Sequence, residues 1–207
     1  MQLLIENQIF PPVSVFCELI KAKSILIEKH DNYQKRTYRN RFLIVTPQGR
    51  HLLSVPLKKG KNSLKFTDVR ISYDDLWITT LGNTLKTNYG SAPFFHHYFN
   101  SILDIFNKRP VFLFDLNNEL RNFVFKCLGI EIPVLFTSVY IKTYGDETWD
   151  LRNRYLPVKT GSCEKIFRSY NQVFEDHTGF VPDGSIIDLL FNTGKYAVNY
   201  LSDYPSK

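Results

Sequence analysis

The sequence lacks any long hydrophobic run, since no stretch of apolar residues approaches the roughly 18–20 that are needed to span a bilayer. Its first twelve residues, MQLLIENQIFPP, lack the basic start, the long apolar stretch and the small-residue cleavage site of a secretory signal. We therefore interpret this segment as the first strand of the fold. We expect a cytoplasmic protein without a transmembrane segment.

Cysteine is scarce and shows no pairing pattern. Cys17, Cys127 and Cys163 lie far apart and form no CxxC pair. This usage is typical of buried, reduced thiols, which fits the cytoplasm. A zinc site needs three or four clustered ligands, so we expect no metal site.

The common cofactor and catalytic motifs are also absent. The sequence contains no GxGxxG, no GxxxxGK followed by Ser or Thr, no GxSxG and no HExxH. We therefore predict no cofactor. Cys17 falls in an apolar helical stripe and is a poor candidate for a nucleophile.

Apolar residues, in contrast, are plentiful: 43% of the chain is hydrophobic, with 17 Phe and 12 Tyr, which suffices for a sizeable core. A chain of 207 residues fits one or two domains. No linker, repeat or low-complexity tract divides it, so we predict a single domain over residues 1–207. Residues 149–207 begin polar and rich in turn formers, and we interpret them as an irregular, partly helical extension of that domain.

The spacing of apolar residues predicts an α/β fold. A strand at 3–6, a helix that follows Pro12 and a β-branched strand from residue 24 form an N-terminal βαβ unit with parallel strands. Two strands at 42–46 and 51–57, joined by a turn at Gly49, predict a β-hairpin insertion. Several packed helices complete the fold. The remaining predicted elements are a strand at 64–71, helices at 74–87 and 94–107, a strand leading into a helix closed by Gly129, and a strand at 134–141.

Polar residues follow the first two predicted strands, as Asn7-Gln8 and as Glu28-Lys29-His30. Parallel strands end at one edge of a sheet, and ligands usually bind at that edge. His30 is the candidate for proton transfer, because imidazole titrates near working pH and can accept a proton from an amine or a hydroxyl. The alternative is a surface histidine that merely follows a strand.

Positive charge is concentrated in the first third of the chain. The formal net charge is +6, and twelve Lys and Arg residues lie between Lys21 and Lys65. Four of them fall within YQKRTYRNR at 33–41, where arginine forks suit phosphate or carboxylate oxygens and tyrosines can stack on a base or sugar. The alternative is a solvated basic edge that prevents sheet aggregation. The candidate substrate-binding residues here are Asn7, Gln8, Tyr33, Lys35, Arg36, Arg39, Asn40 and Arg41.

A second basic element, RNRY, contains Arg152, Asn153 and Arg154 and echoes RNRF at 39–42. Two such forks could clamp a diphosphate from both sides, although a three-residue match also arises by coincidence. Asp188 interrupts an apolar run near the end of the chain. A buried carboxylate needs a partner, and we expect an arginine to serve.

Such a concentration of cations would attract an anionic partner, such as a nucleotide or a sugar phosphate. An anionic lipid surface would be attracted as well. The cations do not follow a helix or an aromatic sheet as in nucleic-acid-binding modules, which argues against nucleic acid.

The order of these elements resembles the WbqC-like protein family. In the first third of the chain, the resemblance is carried by KRxxxNR from Lys35 to Arg41 and by PxGxxLLxVP from Pro47 to Pro56. Further along, it is carried by NYGSAPFFHHYF, by WDLRNRYLP and by the segment from YNQVFEDHTGF to KYAVNYL. The resemblance therefore covers essentially the whole chain. The resemblance is strongest to the shorter, Bacteroidetes-type members of the family. In those members the second strand is followed by an ExHxNY segment, which here extends from Glu28 to Tyr33. At the start, Asn7-Gln8-Ile9-Phe10-Pro11 replaces the His- or Ser-led QP segment of longer members, so a reaction that depends on this loop would differ.

The resemblance implies a transferase in surface-polysaccharide biosynthesis of the O-antigen type. The reaction it suggests is transfer of an aminoacyl group such as glycine to a nucleotide- or lipid-linked amino sugar. Arg36, Arg39 and Arg41 would then hold the diphosphate, and His30 would deprotonate the sugar amine. The alternative is a non-catalytic binding or scaffold protein, which uses its basic face to hold other polysaccharide-biosynthesis proteins or an anionic surface.

Overall fold

The computed structural model describes residues 1–59, 64–157 and 168–202, and its mixed α/β architecture confirms the predicted class. Cys163 lies outside the described residues. The strands are β1 (Gln2–Glu6), β2 (Ser24–Glu28), β3 (Arg41–Thr46), β4 (Gly49–Ser54), β5 (Val134–Phe136) and β6 (Thr148–Asp150). The α-helices are α1 (Val13–Leu19), α2 (Trp77–Tyr89), α3 (Phe95–Asn107), α4 (Leu113–Leu128), α5 (Glu175–Thr178), α6 (Ile186–Thr193) and α7 (Ala197–Ser202).

A four-stranded parallel sheet in the order β5-β2-β1-β6 forms the centre of the fold. The predicted βαβ unit is confirmed, because β1 and β2 pair in parallel from Gln2 with Ser24 to Glu6 with Glu28. One face of the sheet presents Ile5 and Ile27 towards α1 and α4. Since all four strands run in one direction, their carboxyl ends share one edge, which is termed the carboxyl edge below.

The predicted hairpin is confirmed as β3 and β4, which pair antiparallel from Arg41 with Ser54 to Thr46 with Gly49. Gly49 has a φ of 90°, a conformation that a side chain would strain. The predicted helix end is also confirmed, because Gly129 closes α4 in the left-handed region with a φ of 65°.

Three strand predictions were wrong or too long. Residues 66–68 form a 3-10 turn instead of part of a strand, because Phe66 and Val69, three residues apart, are both buried. The segment before α4 makes a single bridge, from Phe112 to Arg70, rather than a strand. β5 stops at Phe136, since its partner β2 ends at Glu28.

The C-terminal part of the chain is bound to this core. β6 pairs in parallel with β1, with Leu4 opposite Asp150. The carboxylate of Asp183 accepts hydrogen bonds from the backbone N–H (2.8 Å) and hydroxyl (3.0 Å) of Ser14 in the first turn of α1. Residues that sequence patterns assign to an irregular extension therefore supply a sheet strand and a cap for α1.

Asp188 is completely buried in α6, and its partners differ from the predicted arginine. The hydroxyls of Tyr89 and Tyr170 donate to its carboxylate at 2.8 and 2.6 Å, and the side-chain amide of Gln172 donates at 2.8 Å. Three neutral donors from distant segments thus satisfy the carboxylate. Sequence periodicity does not reveal which segments converge on α6, so an ionic partner was the wrong expectation.

Burial raises the pKa of Asp188 above its ordinary value of 3.8, and the three hydrogen bonds offset only part of this shift. A carboxyl whose folded-state pKa is raised contributes most to stability below pH 3.8, and this contribution falls as the pH rises through the folded-state pKa. Asp188→Asn removes the titration. We therefore expect the free energy of unfolding of the wild type, relative to the variant, to decrease from acid towards neutral pH. Urea denaturation across this pH range measures the difference in free energy of unfolding between the wild type and the variant. A difference that does not change with pH would contradict the raised pKa of Asp188.

Candidate functional site

The carboxyl edge carries a network of polar side chains, most of which are buried. Glu6 and Glu28 lie directly opposite each other on β1 and β2 and are 1% and 0% exposed. Two adjacent buried carboxylates require compensation, which the flanking segments provide. The members of this carboxyl-edge network are Glu6, Gln8, Glu28, Asp31, Arg39, Thr137, Arg152 and Asn153.

Glu28 is held from three directions. One carboxylate oxygen accepts hydrogen bonds from the backbone N–H of His30 and the hydroxyl of Thr137, both at 2.8 Å. The other oxygen forms an ion pair with Arg152 at 2.9 Å. Arg152 also pairs with Asp150 at 2.6 Å, so two carboxylates occupy its guanidinium.

Glu6 is held by neutral donors. Its Oε1 accepts from the side-chain amide of Gln8 at 2.8 Å, and its Oε2 accepts from the backbone N–H of Asn153 at 2.9 Å. Asn153 has a φ of 59°, in the left-handed region of backbone conformation. The two glutamates are therefore fixed acceptors with defined orientations.

Arg39 belongs to the same network, although it comes from residues 33–41, which are termed the basic segment below. Its side chain is 0% exposed, and its guanidinium pairs with Asp31 and donates twice to Asn153 Oδ1 at 3.1 Å. Burial raises the pKa of Asp31, and the attraction of Arg39 offsets this only in part. The pair is thus a desolvated ion pair inside the protein and is not directed to solvent.

His30 lies at the end of β2, beside this network. Its backbone is fixed by Glu28, whereas its half-buried imidazole makes no hydrogen bond to the residues that the structure describes. The imidazole is therefore available to a ligand. It is three residues from Tyr33, so their Cα atoms lie within about 11 Å of each other.

A separate cleft of about 870 Å³ lies between the basic segment and the end of the hairpin. Residues 35–40 form turns, and this folding brings cations from both halves of the segment to one opening. Its described lining contains no carboxylate. This basic cleft is defined by Lys35, Arg36, Arg41, Lys58 and Lys59 together with Tyr33 and Asn40.

The floor of the basic cleft is ordered by hydrogen bonds. The hydroxyl of Tyr33 donates to Asn40 Oδ1 at 2.8 Å, and Asn40 Nδ2 donates to the carbonyl of Val55 at 3.0 Å. The Nε of Arg41 is buried without a hydrogen-bond partner. A guanidinium with an unused donor next to four further cations is suited to an anion that has several oxygens.

The structure therefore divides the predicted site residues between two places. Tyr33, Lys35, Arg36, Asn40 and Arg41 line the basic cleft. Gln8, Arg39, Arg152 and Asn153 belong to the carboxyl-edge network, and Arg154, which follows Asn153, is exposed. Asn7 donates to the carbonyl of Phe114 and to Asn118 and so binds β1 to α4.

Sequence reasoning missed several residues that the fold brings to these places. Lys58 and Lys59 were counted as charges but not as ligands, because nothing in the pattern shows that the hairpin end faces residues 33–41. Arg121 on α4 was also missed and contacts Asn7 and Asn118. In the sequence, the signal for Arg121 was its position as a cation in the middle of the amphipathic helix α4.

Two further classes of site can be assessed on the described parts of the chain. No group of three or more His, Cys, Asp or Glu side chains there is arranged to hold a metal ion. None of the described helices has the length and hydrophobicity that a membrane crossing requires.

Comparison with known proteins gives one family. The model of the WbqC-like protein family matches residues 7–158, which include both the basic cleft and most of the carboxyl-edge network. A similar curated protein from Mycobacterium tuberculosis, named "Uncharacterized protein Rv1507c", is 26% identical over 226 aligned residues that cover 96% of each chain. No solved structure matches the chain significantly.

Proposed function

Because the chain belongs to the WbqC-like protein family, we propose that it is a cytoplasmic transferase of surface-polysaccharide biosynthesis. Its substrate is a sugar linked to an anionic carrier, either a nucleotide or a lipid diphosphate. The basic cleft binds the diphosphate. The acid-free lining of this cleft, with five Lys and Arg side chains, is the observation that carries the proposal.

The size and composition of the cleft support this choice of ligand. Small-molecule sites commonly enclose roughly 300–1,000 Å³, and the cleft, at about 870 Å³, lies within that range. Arg36 and Arg41 supply planar guanidinium groups for phosphate oxygens, whereas Lys58 and Lys59, from the segment after β4, supply point charges. Tyr33 offers a ring against which a base or a sugar can stack.

The proposed reaction is transfer of an aminoacyl group, such as glycine, to the amine of the bound sugar. His30 accepts a proton from the sugar amine as its nitrogen forms the new bond to the acyl carbon, and the carrier of the acyl group leaves. His30 suits this role because its imidazole is available, while Glu6 and Glu28 are already engaged as hydrogen-bond acceptors.

A non-catalytic binding protein is the second candidate function. It is favoured by the internal pairing of the carboxyl-edge network, which leaves few groups at that edge for proton transfer. Such a protein would use the basic cleft to hold an anionic ligand or partner of polysaccharide assembly. Ligand binding without turnover would distinguish it from the transferase.

A panel of UDP- and dTDP-linked sugars and amino sugars tests the proposal by thermal shift and titration calorimetry. We expect saturable binding of at least one diphosphate sugar, with an affinity that weakens as the salt concentration rises, because the cleft attracts its ligand electrostatically. Binding of no panel member, including the free nucleoside diphosphates, would contradict it.

Replacement of His30 by glutamine should separate catalysis from binding. We expect kcat for aminoacyl transfer to fall roughly 100- to 10,000-fold, the usual contribution of a general base. The dissociation constant of the diphosphate sugar should stay within about twofold, because His30 is outside the lining of the cleft. An unchanged kcat would remove His30 from the mechanism.

A further inference from the structure

The backbone that carries His30 is fixed at two consecutive residues just after β2. The N–H of Lys29 donates to the hydroxyl oxygen of Thr137 at 3.0 Å, and the N–H of His30 donates to Oε1 of Glu28 at 2.8 Å. The same Oε1 also accepts a hydrogen bond from the Thr137 hydroxyl at 2.8 Å. Thr137 therefore contacts this segment twice, once at the Lys29 amide and once at the carboxylate that holds the His30 amide.

Thr137 is itself held against β2, although it lies just beyond the end of β5. Its backbone N–H donates to the carbonyl of Ile27 at 3.0 Å, which continues the pairing of the two strands by one residue. The residue is only 6% exposed. A threonine hydroxyl has one donor proton, and here that proton is committed to Glu28 while the oxygen accepts from Lys29. Thr137 thus links the end of β5 to the residues that follow β2.

The side chain of Glu28 transmits this contact to His30. It is completely buried, its Oε2 is paired with Arg152 at 2.9 Å, and its Oε1 is shared between the Thr137 hydroxyl and the His30 N–H. Hydrogen bonds to a carboxylate are stronger than those between neutral groups, and a buried carboxylate that loses one is left with less compensation. Removal of the Thr137 hydroxyl therefore loosens both the carboxylate and the Lys29 amide.

The position of the His30 imidazole depends on this backbone. The ring is half-buried and makes no hydrogen bond to the described part of the chain, so its place is set by the backbone and not by a partner of the ring. A general base must meet its proton at hydrogen-bond distance, and a misplacement of about 1 Å can lower a rate roughly 100-fold. We propose that Thr137 is a positioning residue, which holds His30 for proton transfer through Glu28 and the Lys29 amide. This role rests on the proposed function, in which His30 accepts the proton of the sugar amine.

Thr137→Val tests this role, because valine keeps the branched shape of threonine and lacks the hydroxyl. We expect kcat for aminoacyl transfer to fall roughly 10- to 100-fold. The dissociation constant of the diphosphate sugar should stay within about twofold of the wild type, because Thr137 is outside the lining of the basic cleft. Thr137→Ser retains a hydroxyl and should retain most of the activity.

Amide hydrogen exchange, followed by NMR, reports the contact without any need for turnover. In Thr137→Val we expect the His30 amide to exchange at least about tenfold faster relative to the amides within β2, because its acceptor is less firmly held. Thr137→Ser should restore the wild-type rate.

Thr193→Val is the matched control, since Thr193 on α6 is 9% exposed and its hydroxyl donates to the carbonyl of Leu189 at 2.7 Å. It should leave both kcat and the relative exchange rate of the His30 amide unchanged. Equal effects of the two valine variants, or a wild-type kcat or exchange rate in Thr137→Val, would overturn the positioning role. If His30→Gln lowers kcat in that case, the positioning role alone is wrong. An unchanged kcat in His30→Gln would instead contradict the proposed function itself.

Discussion

Replacement of Arg39 by methionine is expected to lower the free energy of unfolding by about 3–5 kcal/mol, the usual cost of removing one partner from a buried ion pair. Arg39 is 0% exposed, and its loss leaves the buried carboxylate of Asp31 without its cationic partner and removes both hydrogen bonds to Oδ1 of Asn153. Methionine preserves much of the aliphatic volume, so packing loss contributes little. Equilibrium urea denaturation measures the effect.

The matched control is Arg36→Met, in the same segment. Arg36 is exposed, and surface substitutions of this kind usually change stability by no more than about 0.5 kcal/mol. A loss for Arg39→Met as small as that of the control would show that the guanidinium is not held inside the protein. The assignment of Arg39 to the carboxyl-edge network would then be wrong.

Replacement of Arg41 by glutamine is expected to weaken the binding of the diphosphate sugar roughly 10- to 100-fold. One charge-assisted hydrogen bond is worth about 1.5–3 kcal/mol, and each 1.4 kcal/mol corresponds to about a factor of ten in affinity. Arg41 lines the basic cleft, and the buried Nε has no partner to lose. Calorimetry should therefore show a large change in affinity, while denaturation shows a small change in stability.

Lys86→Gln is the control for Arg41→Gln, because Lys86 is an exposed cation on α2 outside the cleft and its loss changes the net charge equally. We expect the affinity of this variant to remain within about twofold of the wild type, since Lys86 does not line the cleft and salt screens exposed charges. Equal weakening by the two variants would indicate a general effect of net charge. The basic cleft would then not be the binding site.

The sequence was sufficient to predict the parts of the fold that depend on local pattern. Asn7-Gln8 and Glu28-Lys29-His30 could be assigned to one sheet edge because a βαβ unit has only one arrangement of its strand ends. Gly49 and Gly129 could be assigned to a turn and a helix end because few other residues tolerate their backbone angles. β6 was not predicted, because a strand of three residues is too short to show an alternation of apolar and polar residues. Its hydrogen bonds depend on pairing with β1, which the local sequence does not reveal.

The division of the basic segment could not be predicted, because it depends on turn geometry. An extended segment would place Arg39 and Arg41 on one face, whereas the turns from residue 35 to 40 direct Arg39 into the protein and leave Arg36 and Arg41 in the cleft. The same limit applies to Asp188, whose tyrosine partners lie 99 and 18 residues away in sequence. Residue type identified the need for partners in both cases, but only the fold identifies which partners meet it.

The most direct test of the account is a structure of the protein in complex with a diphosphate sugar from the panel. The account predicts that the diphosphate lies in the basic cleft in contact with the cations that line it, with the sugar or base against Tyr33. It also predicts that Arg39 keeps its contacts with Asp31 and Asn153 in the complex. A diphosphate bound at any other place on the protein would contradict the central claim.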